Sequence, residues 1–441
     1  MRWLCYNSLF QQLRRNRKEL RGRFLNRVLA LLAAAICLLA LVSCGGNNNN
    51  QYTLSNGNTI TNPKNSIKNR AYISNQYSGN LQIVDSATDL TAFFSSSFTN
   101  NNTTNQIADL SVNIAVGVSA TFLVVSPNAA TTAVYDPLAI SMDLVNNMTQ
   151  TTTATIGLPT WAAMAVFSPD SNTLYVPTGN VAISGSTPGA VELISVPNTA
   201  ISTYIPIPSV RWVALNPAGS MLLAFADNAD TMWVTDVTGT TYTPTAIAGF
   251  SRPVNAFFSS DGNTAYVLNC GNQCGGSAPP SVAKFDMTSQ TIISTTEVGG
   301  ATVGLLNGTT LYVAGYASGN NGTLDIVDTT TMTRTTANSI PINDGQQWKM
   351  AINNNKLYIG AKTCNNTVTG CLSVVNLATG TPDAPLPPLG PVTGMLSVPN
   401  RNVMYVIQGG KLNIYDTTTD QLQKTQLAFR GALYDVVQID K

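Results

Sequence analysis

A unit of about 47 residues recurs along this chain, and such a period constrains the fold more than any local pattern. The clearest copy is PVNAFFSSDGNTAYVLN at 253–269, continued by SVAKFDMTSQTIISTTEV at 281–298. It reads as an apolar strand, an Asp-Gly turn, an alternating strand, a loop, a strand ending in Asp, a turn and a last strand. Asp261-Gly262 suits a tight hairpin, because glycine takes positive φ at little steric cost. The second strand of the frame carries Tyr72, Leu123, Tyr175, Leu223, Tyr266, Tyr312, Tyr358 and Tyr405, spaced 43 to 52 residues apart. The third strand ends in an acid at Asp85, Asp136, Asp236, Asp286, Asp328 and Asp416, with Ser195 and Asn376 standing in twice. A row of aspartates invites a metal or catalytic reading; turn formation is favoured, because Asp bonds the backbone of its own turn. Four short strands at this period cannot bury their faces alone and stack as blades. The expected fold is all-β: a propeller of four-stranded blades over residues 69–441, eight by motif count.

The matching stretches Tyr72-Ile73-Ser74-Asn75, Tyr175-Val176-Pro177-Thr178, Tyr266-Val267-Leu268-Asn269 and Tyr312-Val313-Ala314-Gly315 resemble the tetrapeptide of the YVTN family of β-propellers. That resemblance implies an open-channelled disc, commonly of seven blades, which is the alternative to eight. The first copy begins near Asn69 with its second strand. The segment Gly431–Ile439 reads as an inner strand without a hairpin partner. It is expected to complete the first blade and so remove a free sheet edge.

Residues 1–27 hold eight basic residues opposed by Glu19 alone, and residues 28–42 are almost wholly apolar. A basic head and a 15-residue apolar core, shorter than the ~20 residues that span a bilayer, describe a secretory signal. Leu41-Val42-Ser43-Cys44 resembles the lipobox of bacterial lipoproteins. The resemblance implies that Cys44 is lipidated and becomes the first mature residue. Gly45 is not the aspartate that retains enteric lipoproteins at the inner membrane, so the expected location is the cell envelope, anchored by lipid at the outer membrane. Asn47–Asn50 and the polar residues that follow make 44–68 an expected flexible stalk. Loss of residues 1–43 leaves 15 basic and 21 acidic residues, a net charge of about −6, which argues against a nucleic-acid partner.

The chain has no histidine. Ser-His-Asp triads, Cys-His dyads and histidine metal sites are therefore excluded. No glycine-rich phosphate loop is visible, and neither a metal nor a cofactor is expected. Paired carboxylates stay open, because a propeller converges distant residues on one face. The cysteines remaining beside Cys44 are Cys270, Cys274, Cys364 and Cys371, each pair in a loop after a second strand. In an exported chain they read as disulfides, Cys270–Cys274 and Cys364–Cys371, with a four-cysteine zinc site as the alternative.

Those loops share a face with the inter-blade connections, and binding concentrates on loops held by a rigid frame. The connections present Trp161, Arg211, Trp212, Arg252, Trp348, Lys349 and Arg430. Aromatic and cationic groups together suit a sugar or a carboxylate; packing between blades is the competing reading. Three functions follow. The first is a non-enzymatic binding or interaction module for a small molecule, glycan or protein at the channel mouth. The second is an enzyme like the lactonase or quinoprotein propellers. The third is a structural surface protein.

Overall fold

The computed structural model describes residues 69–91, 113–179, 188–316, 322–364, 369–383, 386–426 and 431–440, with short strands at 51–53, 59–61, 96–100 and 103–107. The chain divides into two compact units, 1–62 and 63–441. In the first, Gln51–Thr53 pairs antiparallel with Thr59–Thr61, a hairpin inside the segment expected to be a stalk. The signal segment, Cys44 and the asparagine run lie outside the described residues.

The second unit is a propeller of eight antiparallel sheets. The fifth blade shows the pattern: Pro253–Phe258, Thr264–Asn269, Ser281–Asp286 and Thr291–Glu297 follow one another from inner to outer edge. Its second strand is buried on both faces, since neighbouring blades cover both sides of the sheet. Its outer strand alternates exposed residues, Thr291, Ile293, Thr295 and Glu297, with half-buried ones. The inner strands touch in succession around the ring, from Leu123–Val125 of the second blade to Val392–Ser397 of the eighth. The last strand, Leu433–Gln438, contacts both of these and pairs with Arg70–Asn75, so it completes the first blade and closes the ring. Eight blades, rather than seven, is the count.

The repeat frame needs one correction. Leu123 lies on the inner strand of the second blade, not on its second strand, which is Thr131–Asp136. Asp136 therefore ends the second strand, and Asn146 holds the turn after the third, accepting from Met148 N and Thr149 N at 2.9 Å each. The first blade carries an insertion that includes the hairpin of Ser96–Asn100 and Thr103–Ile107 before Asn113–Ala115 returns to its third strand. That extra length let an apolar inner strand, Leu123-Val124-Val125, fall in the expected register. Ser126-Pro127 after it matches the inner hairpin turn at Ser168-Pro169, the signal that locates this strand: Ser126 N and Ser168 N both bond the residue five positions on.

The acids expected at the turns hold those turns. Asp236 accepts from Thr238 Oγ1 and N, Asp286 from Ser289 N and Thr288 N, and Asp416 from Thr418 N and Thr419 N. These bonds keep all three carboxyls below the usual carboxylate range.

Two of the recurrent tyrosines tie their blade to the next. Tyr405 OH of the eighth blade donates to Asp89, in a turn of the first, at 2.5 Å, and Arg401 grips the same carboxylate at 2.6 and 2.8 Å. Tyr358 OH of the seventh blade likewise donates to Asp420 of the eighth at 2.7 Å. Burial first, and then the adjoining carboxylate, raises both phenols well above their ordinary pKa. Tyr405→Phe removes one hydrogen bond to a charged group and keeps the ring, so a loss of about 2 kcal/mol is expected in a denaturant titration. An unchanged midpoint would show that Arg401 alone holds this joint.

Candidate binding site at the channel mouth

The inner strands carry register breaks at their upper ends. Pairing shifts between Val210 and Trp212 in the fourth blade, and between Gln347 and Lys349 in the seventh. Arg211 and Trp348 are the extra residues. A bulge at a rim redirects its side chain out of the ladder. Here Arg211, Trp212 and Trp348 come together on the wall of a cavity of about 460 Å³ between the fourth and seventh blades. The two indoles meet edge to face, 5.7 Å between centroids and 62° between planes.

Cys274 of one disulfide-closed loop and Thr363, just ahead of a second, line this cavity. Cys270 is bonded to Cys274, and Cys364 to Cys371. Gln273 in the first loop fastens the next blade connection: its Nε2 donates to Gly299 O, its Oε1 accepts from Ala301 N, and its carbonyl accepts from Tyr316 OH. The second loop begins at Lys362, whose N–H donates to Gln346 O at 2.9 Å. It presses on Gly345, where a Cβ would stand 1.7 Å from Thr363 O, so no side chain fits there.

Lys362 stands next to Thr363 of the cavity wall and rests on the Trp348 ring, without itself being one of the lining residues. Its Nζ lies 3.3 Å from the centroid of the Trp348 ring, a cation–π contact. Among the described residues, Lys362 has no carboxylate partner. Burial first, and then the charges of Lys349 and Arg211, together lower its pKa to about 8. Trp348 Nε1 and Gln347 Oε1 are buried with no hydrogen-bond partner among the described residues, one donor and one acceptor. Orphaned buried groups of this kind are costly in a finished core.

Other expected site residues are engaged elsewhere. Lys349 reaches Asp435 on the closing strand at 3.3 Å, past Gly394, where a Cβ would come within 2.7 Å of Asp435 Cα. Arg252 bonds Asp230 through its own N–H and reaches Gly275 O, which caps the joint between the fourth and fifth blades. Arg211 pairs with Asp227 at 3.1 Å. Trp161 is 51% exposed and lines a smaller cavity of about 190 Å³, together with Arg211 and Asp227. Arg430 lies outside the described residues. Lys362 was not singled out from the sequence; its place just ahead of the Cys364–Cys371 loop is the signal that points to it.

No protein-family model matches the chain, and no curated protein matches it. Solved structures do. One is dihydro-heme d1 dehydrogenase NirN in complex with DHE, at TM-score 0.62 and 12% identity, covering 85% of this chain and 75% of that one. Another is the β-propeller domain of Cps50 (Swd1) from Myceliophteria thermophila, at TM-score 0.51 and 11% identity, covering 67% and 96%. At such identities the likeness is one of fold.

Proposed function

We propose that this chain is a lipid-anchored, non-enzymatic binding propeller of the bacterial envelope, YVTN-like in sequence, whose channel mouth takes a small hydroxylated anion. The observation that carries this reading is Lys362: a half-buried ammonium on an indole face, near two further cations and, among the described residues, without a carboxylate of its own. An anion there relieves like-charge repulsion and gains a charge-assisted hydrogen bond. The unpartnered donor and acceptor of Trp348 and Gln347 suit a ligand that also bears hydroxyls, once the side chains over them shift.

The test is tryptophan fluorescence of the full-length protein in detergent, titrated with galacturonate, glucuronate and gluconate, and with galactose and glucose as neutral controls. The acids should saturate the signal while the neutral sugars do not. Lys362→Gln should weaken the acids about tenfold or more, the worth of one charged hydrogen bond. Equal response to neutral sugars, no response to any acid, or an unaffected Lys362→Gln variant would overturn the reading.

The same lysine sets a pH dependence. It binds an anion only as the ammonium, and its folded pKa is about 8. Affinity should hold below that value and fall as pH rises through it, approaching the Lys362→Gln level near about pH 9.5. A flat profile across this window in the wild type would remove Lys362 from the site.

A further inference from the structure

The two cavities on this face share a wall, and that wall consists of Arg211 and Asp227. The pair is rim-exposed, with side chains 41% and 50% accessible, and it is held at 3.1 Å. Beyond it stands Trp161, an indole half open to solvent on the connection between the second and third blades. The sequence of groups along the face is thus a cation with two indoles, a donor–acceptor pair, and a third indole. A ligand confined to the first cavity leaves the third indole unused.

From this order we infer that the ligand is an acidic oligosaccharide. One uronate unit sits at Lys362, and its neighbour in the chain passes over Arg211–Asp227 to lie against Trp161. The inference rests on the anion site proposed above. Sugar rings carry an apolar face that packs on an indole, and their hydroxyls both donate to carboxylates and accept from guanidinium. Linked units gain affinity because the second binding event becomes intramolecular.

The probes are galacturonic acid as one, two and four linked sugars, titrated against full-length protein in detergent. The variants are Trp161→Ala and Lys362→Gln, with circular dichroism to report the fold. Trp161 is half exposed, so its loss should leave the fold intact. Affinity should rise about tenfold or more from one sugar to four. Trp161→Ala should erase that rise while leaving the single sugar's affinity unchanged, and Lys362→Gln should weaken every length. Length-independent affinity, or a rise that survives Trp161→Ala, would overturn the second subsite while the anion site stands. No binding at any length would overturn both.

Discussion

Truncation after Arg430 should abolish the folded propeller. The deleted strand pairs Leu433 with Asn75, Val436 with Ile73, Val437 with Tyr72 and Gln438 with Ala71, so its loss exposes an edge along the whole of Arg70–Asn75. Leu433, Val436 and Ile439 are each at least 98% buried. Their burial is worth roughly 1.5–3 kcal/mol apiece. Asp440 leaves as well, and with it the two-pronged contact to Arg70 at 2.6 and 2.8 Å. Lys349 loses Asp435 from the channel. Against a margin of about 5–15 kcal/mol, these losses should open the ring or drive aggregation through the bare edge. Solubility and a thermal melt read the outcome. A truncated chain that stays soluble and melts at the wild-type temperature would mean that the closing strand contributes little.

Cys44→Ser should move the protein from the membrane fraction to the soluble one, or halt its maturation with residues 1–43 still attached. The thiol is the group on which both acylation and the cut depend in lipoproteins, and serine supplies no thioether. A single acyl chain holds a protein only weakly, whereas several hold it stably, so loss of the cysteine acts close to all-or-none. Fractionation and mass spectrometry of the N-terminal peptide decide it. An unmodified mature Cys44, or undiminished membrane partition of the Cys44→Ser protein, would contradict the anchor.

The ring was legible because its signals are local and repeated. Each Tyr-containing second strand, Asp-held turn and Thr-rich outer strand is written within one unit of the repeat. Where the frame slipped, at Leu123, an insertion had lengthened the first blade and one apolar strand looks much like another without its turn. Ser126-Pro127 carried the information. The site was only partly legible. Arg211, Trp212 and Trp348 stood out by type, and bulges in their strands bring them to one wall. Lys349 and Arg252 stood out equally, yet each is spent on a structural partner: Asp435, 86 residues away along the chain, and Asp230. Such pairings depend on which blades face each other, and spacing does not encode them. Lys362 lies on Trp348 where Thr363, just ahead of the Cys364–Cys371 disulfide, packs its carbonyl on Gly345, a contact that depends on backbone shape.

A crystal structure of the protein grown with galacturonate at about pH 6.5, well below the pKa of Lys362, tests the central claim most directly. A sugar is expected between the fourth and seventh blades, its carboxylate within hydrogen-bond reach of Lys362 Nζ and its ring beside Trp212 and Trp348. A sugar bound on another face, or a mouth that holds no sugar with Lys362 still resting on Trp348 under saturating galacturonate, would contradict it.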